Sequence, residues 1–136
     1  MEKLLKVQIS VNASAQKVWD TLVNPTVWWE GVTLTPKIGG IFQEIWNENA
    51  QEKVAVGKVV SSVPLSLLEI NWKDEDWPNH MTFTFLLSAG GSGRTHVVLT
   101  EKGWEMFASD RRSELMSSHR QGWNYHLAEL KQVAEG

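Results

Sequence analysis

The chain has 136 residues, no cysteine and a net charge of −3, with acidic and basic side chains interspersed. Without cysteine there is no disulfide, thiolate metal site or thiol nucleophile, which fits a reducing, cytoplasmic setting. Without a basic run there is no electrostatic footprint for nucleic acid. The length suits one domain over residues 1–136 that buries roughly two thirds of the surface its unfolded chain exposes. Eight tryptophans are the compositional anomaly. A buried indole removes about 150–250 Å² from water, on the order of 4–6 kcal/mol gross, so few can stand idle at the surface. Most are expected to build the core, and others to line a cavity.

In Met1 to Ser10, Lys3, Lys6 and Gln8 interrupt the apolar residues. Neither a signal peptide nor a membrane-inserted segment is expected. Leu5, Val7, Ile9 and Val11 alternate with polar residues and predict a half-buried strand. Asn12 to Ser14 can cap a helix carrying Ala15, Val18, Trp19 and Leu22, which Asn24-Pro25 stops. A second short helical turn is predicted over Thr26 to Trp29. Five strands then follow at hairpin spacing, over 38–46, 53–62, 67–72, 81–87 and 94–101, with polar or glycine-rich connections that make neighbours antiparallel.

Parity separates the faces of this sheet. Phe42, Glu44 and Trp46 share one face with Leu68, Ile70, Trp72, Met81, Phe83, Phe85, Thr95, Val97 and Leu99. Gln43, Glu69, Asn71, Thr82, Thr84, His96 and Thr100 fall on the other and should meet water. In the last quarter, Leu115, Met116, His119, Gly122, Trp123, His126, Leu127, Leu130 and Val133 fall within an arc of roughly 140° on a helix of about 100° per residue. Only the sheet is large enough to bury that face. The predicted fold is therefore α+β in the order β-α-α-β5-α, an antiparallel sheet of about six strands wrapped around a long C-terminal helix, with a hollow between them.

The order of elements and several local patterns resemble the SRPBCC or START-like helix-grip superfamily, known also from the major birch-pollen allergen. The nearest branch resembles the activator of the ninety-kilodalton heat-shock ATPase. The residues that carry the resemblance are Val18-Trp19, Trp28-Trp29 after Pro25, Gly39-Gly40 before Phe42, and Gly57-Lys58-Val59 leading to Val63-Pro64. Leu67-Leu68 to Trp72, Thr95 to Glu101 with Gly103-Trp104 behind, and Gly122-Trp123 to Leu130 continue it over nearly the whole chain. The resemblance implies a curved sheet around the last helix and a deep pocket that holds lipids, hormones or polyketides in different members, with no shared catalytic set. The co-chaperone branch carries a separate amino-terminal chaperone-binding domain, and none is expected here.

His119 lies near the middle of the apolar arc, and His126 is two turns further along almost the same line. The functional expectation for His119 is a titratable tip in the pocket; the plainer one, for both, is a histidine satisfied at the cavity edge. Glu44 holds an inward-parity position, odd for a carboxylate unless it meets a partner, for which Arg112 is conceivable, or unless a bulge turns it outward. Glu101, closing its strand, is ambiguous in the same way. His80, His96, His119 and His126 show no HxH or HExxH spacing, so no metal and no cofactor is expected. Asp74-Glu75-Asp76 reads as a solvated turn, and the glycines at 90–93 as a hairpin.

The leading expectation is a domain that binds a small apolar or aromatic molecule. Trp19, Trp28, Phe42, Trp46, Trp72, Phe83, Phe85, His119 and Trp123 form its pocket, and His119 and Glu44 orient polar groups. One alternative is an enzyme of polyketide-cyclase or aromatase type in which His119 or Glu44 transfers protons. Another is an interaction module that contacts a chaperone. Either a monomer or a homodimer suits these readings.

Overall fold

A computed structural model describes residues 4–136; Lys3, which belongs to the N-terminal alternation, lies outside them. Strand β1 (Leu4–Val11) is followed by helix α1 (Ala15–Leu22), a 3-10 turn (Pro25–Val27) and strands β2 (Val32–Leu34), β3 (Ile41–Glu48), β4 (Gln51–Val63), β5 (Leu67–Asp74), β6 (Met81–Ala89) and β7 (Thr95–Lys102). A second 3-10 turn (Trp104–Met106) leads into helix α2 (Ser109–Glu135). All strand pairs are antiparallel, in the order β1-β7-β6-β5-β4-β3-β2. The predicted order holds, with one more strand than expected. The addition is the three-residue β2, too short to show an alternation of its own, which pairs Val32 with Glu44 and Leu34 with Phe42 at the sheet edge.

The chain ends its elements where local chemistry dictates. Ser14 is extended and its hydroxyl accepts from the Lys17 N–H at 3.2 Å, capping α1. The β3–β4 hairpin turns at Asn49 and Ala50, both with left-handed φ, the turn whose twist matches that of the strands it joins. The glycine run at 90–93 is the β6–β7 hairpin loop. Gly103 takes φ +112°, open to glycine but not to a residue with a Cβ, and so swings Trp104 under the sheet end, where its indole N–H donates to the Glu101 carbonyl at 3.0 Å.

The inward rows match the parity reading. Phe42, Leu68, Ile70, Trp72, Met81, Phe83, Phe85, Thr95, Val97 and Leu99 are all buried. Of the residues expected to meet water, Thr84 is also buried, because its hydroxyl reaches across the outer face to Glu69 Oε2 at 2.8 Å. On α2 the buried positions are Met116, Trp123, Leu127, Leu130 and Ala134. Val133, read into the apolar arc, is 37% exposed, and Ala134 packs in its place. The described residues contain no helix long and apolar enough to cross a membrane.

How α2 is held decides where space remains. Its second half lies along β1 and α1. Lys131 donates to the Ser10 carbonyl at 3.0 Å, the Asn12 N–H donates to Glu135 Oε2 at 2.6 Å, and Arg120 donates to the Lys6 carbonyl at 3.1 Å. These bonds clamp the helix to one side of the sheet. On the opposite side the middle of β4 offers Ala55, Gly57 and Val59 inward. Gly57 is obligatory there, since a Cβ would press into the Asn71 carbonyl and lie 2.8 Å from Trp72 Cβ. A clamped helix facing a strand of small residues leaves a gap between them.

Candidate functional site

The gap is a cavity of about 430 Å³ between the middle of α2 and strands β3 to β5. Trp29, Trp46, Trp72, Trp77 and Trp123 wall it, Ala55 floors it, and His119, Gly122 and His126 descend from the helix. Tyr125, 64% exposed, and Glu30 stand at its rim. Trp72 and Trp77 meet at 85° with ring centroids 5.1 Å apart, and Trp29 and Trp123 at 71° and 5.5 Å. The walls therefore form corners rather than one flat stack.

Gly122 lies mid-helix, where glycine costs roughly 0.5–1 kcal/mol relative to alanine. A Cβ added to it would meet no atom within 4 Å. No close approach requires glycine at this point; what its missing side chain provides is room.

The polar groups are few and held. Glu101, 0% exposed, sits behind the wall at the end of β7. Its Oε1 accepts from the Trp123 indole N–H at 3.0 Å and pairs with His119 Nδ1 at 2.8 Å. An indole can only donate, and the oxygen it meets is an acceptor, so the imidazole is placed with a proton on Nδ1 toward Glu101, which leaves Nε2 outside the pair. Glu101 Oε2 and the buried Trp72 indole N–H have no hydrogen-bond partner among the described residues. The His119 ring is walled by Trp72, Trp77 and Trp104.

Glu44 points inward and accepts from the Trp29 indole N–H at 3.1 Å. Burial pushes its carboxyl up from 4.5 to about 7; the Trp29 bond and the nearby His119 oppose that rise, and Asp74 adds to it. Arg112, the conceivable partner, instead donates to the main-chain oxygens of Trp104 and Phe107. Burial holds His126 below its ordinary value, with Nδ1 3.4 Å from Glu129. No three His, Asp or Glu side chains of the described residues converge to hold a metal ion.

These shifts set a pH dependence. The folded Glu44 carboxyl keeps its proton to about pH 7, whereas the unfolded one loses it near 4.5. The stability it contributes is therefore complete below the unfolded value and is lost as pH rises through 7. His126 acts with the opposite sign, losing stability as pH falls through and below its ordinary 6.5. Subtracting the melting curve of Glu44→Gln from that of the parent isolates the first effect. The parent should lose more stability than the variant between about pH 5 and pH 8, and parallel profiles would contradict the assignment.

Four of the nine residues expected to form a pocket, Trp46, Trp72, His119 and Trp123, line this cavity. Trp19 and Phe83 are packed in the core. Trp28, Phe42 and Phe85 border a void of about 10 Å³ between the sheet and the end of α1 with its following 3-10 turn, too small for a ligand. A wider cleft of about 930 Å³ adjoins the cavity, lined by Trp28, Trp29 and Trp46 together with β2 and with Glu129, Gln132 and Val133 of α2. Trp29, Trp77, Asp74 and Glu101 are members of the site that the sequence reading did not select. Glu101 had a signal, since it continues the inward parity of Thr95, Val97 and Leu99.

In overall structure the chain is similar to DynU16, a protein of the dynemicin biosynthetic locus, with a TM-score of 0.79 at 15% identity. That match covers 99% of this chain and 48% of DynU16, so the chain spans about half of that protein. It is similar also to CalU16 from Micromonospora echinospora, with a TM-score of 0.74 at 19% identity over 96% of this chain and 75% of that one. Aha1 from Colwellia psychrerythraea, solved as a dimer in solution, gives 0.74 at 18% identity over 98% and 97%. At these identities the likeness carries the helix-grip fold. No curated protein matches the sequence. The family described as Activator of Hsp90 ATPase homolog 1-like protein matches residues 12–135, and the chain belongs to that family.

Proposed function

We propose that this domain binds a small, largely apolar or aromatic molecule in the cavity beside α2, in a cytoplasmic setting. The observation that carries the reading is Gly122, a costly residue in the middle of a 27-residue helix whose absent side chain leaves the indole-walled space open. The volume of about 430 Å³ lies in the range of ligand sites, and the lining combines aromatic walls with a few oriented polar groups, as such sites do. Gly122→Leu tests it. Leucine should plug the cavity and lower affinity for an apolar fluorophore by at least about tenfold, while helix propensity holds or raises stability by about 0.5–1 kcal/mol. Unchanged affinity in a folded Gly122→Leu would overturn the reading. Native mass spectrometry of freshly purified protein would identify the chemical class of any retained molecule.

A second reading is an acid–base enzyme of cyclase type. It is favoured by the Glu101–His119 pair, in which a buried carboxyl orients an imidazole at the cavity wall, with the Glu44 carboxyl also facing the cavity. Turnover of a bound molecule that is lost in His119→Ala, with its binding kept, would establish it. Stimulation of a chaperone ATPase by a protein that binds no small molecule would instead favour a docking module.

A further inference from the structure

The lining charges are one-sided. Glu30, Glu44, Asp74 and Glu129 face or rim the cavity, and the described residues lining it include no lysine or arginine. Lys53, the next inward position on β4 before Ala55, has its ammonium on Asp76 at 2.9 Å. The other titratable groups around it are His119, held by Glu101, His126, beside Glu129, and Tyr125 at the rim. Around these carboxyls stand five indoles. The face of an indole is the most favourable aromatic surface for a cation, and it attracts without a directional hydrogen bond. An apolar wall alone would select a neutral ligand; indole faces combined with carboxyls and no fixed cation select a positive one.

We propose that the preferred ligand of this cavity is an organic cation, an alkylated ammonium head carried on an apolar or aromatic body. This rests on the binding reading above and sharpens it. Alkylation matters because a head that makes no hydrogen bonds loses least on leaving water for a space walled by five indoles, while the carboxyls around it supply the attracting charge. The volume of about 430 Å³ holds such a head with room for the body. A ligand bearing a phosphate is disfavoured, since no lysine or arginine among the described residues lines the cavity to receive it. A cation beside Glu44 also favours the ionised carboxyl, so binding draws a proton off that residue at neutral pH.

The test titrates the full chain with choline and with 3,3-dimethylbutan-1-ol, its uncharged isostere, following the indole N–H resonances by NMR. Choline should bind at least about tenfold more tightly, and phosphocholine more weakly than choline, which separates a free ammonium from a lipid-type headgroup. Choline affinity should rise with pH from about 6 to 8 while that of the alcohol stays level, and Glu44→Gln should flatten the rise. Gly122→Leu should abolish the response to both probes. Equal or tighter binding of the alcohol would overturn the cation assignment and leave the apolar-binding reading standing. A choline response that persists in Gly122→Leu, or tighter binding of phosphocholine, would also overturn it. If neither these probes nor a neutral aromatic fluorophore binds, both readings fall together.

Discussion

Replacing Glu101 by alanine is expected to lower the unfolding free energy by about 3–5 kcal/mol, because one partner of a buried pair is removed and the others keep their buried N–H groups. Two donors converge on Glu101 Oε1, the Trp123 indole at 3.0 Å and His119 Nδ1 at 2.8 Å, and no water can replace a carboxyl that is 0% exposed without first entering the core. The Trp104 bond survives the change, since it goes to the Glu101 main-chain oxygen. Glu101→Gln keeps the shape and one acceptor oxygen, so it should cost less than half as much in urea denaturation. If Glu101→Ala unfolds at the same denaturant concentration as the parent, the network contributes nothing to stability.

The same residue links stability to chemistry. His119 and Trp123 are one turn apart on α2, and both form cavity wall. One carboxyl oxygen therefore sets the rotation of two wall residues at once. In Glu101→Gln the amide oxygen meets both donors without the carboxylate's charge, so the hold on the imidazole, and with it ligand binding at the His119 wall, should weaken even where folding is retained.

The sequence carries the frame of this molecule more legibly than its hollow. Alternation along β3, β5, β6 and β7 is readable because each strand buries one face only, and a one-residue slip would move every apolar side chain into water. Even Glu44, a carboxylate on the buried face, stays in register with Phe42 and pairs across to Ala55. Other members of the site resist such reading. Trp77 lies in the polar 73–79 connection, where nothing in the neighbouring residues indicates that an indole folds back on Trp72. Trp28 and Trp29 are adjacent, and only the 3-10 turn decides that Trp29 faces the cavity while the Trp28 indole donates to the Leu22 carbonyl. The width of the gap depends on the clamp of α2 to β1, made by Lys131, Asn12 and Arg120, and on the small residues of β4. Those are contacts between segments distant in the chain, which periodicity does not encode.

Phe83→Ala should be the most damaging single truncation in the core, costing about 4–5 kcal/mol, near the upper end for loss of a buried phenyl ring. Phe83 is fully buried and lies within 6.2 Å, centroid to centroid, of Trp29, Phe42, Trp72, Phe85 and Trp123. Three of those partners, Trp29, Trp72 and Trp123, also wall the cavity. Their inclined rings cannot all move inward to fill the vacated space, because each is also held elsewhere: Trp29 by Glu44, Trp123 by Glu101, and Trp72 by the register opposite Gly57. The cost should therefore include most of the cavity term rather than relax away. An apolar void of this kind stays dry and accepts a small aromatic guest. Benzene or indole added to Phe83→Ala should raise its melting temperature in proportion to the logarithm of guest concentration once the site is saturated, with a smaller effect on the parent. A variant that loses less than about 2 kcal/mol, or that gains nothing from the guest, would mean that the aromatic cluster has collapsed inward. In that case the walls beside α2 are pliable, and the open space there is not held by the packing behind it.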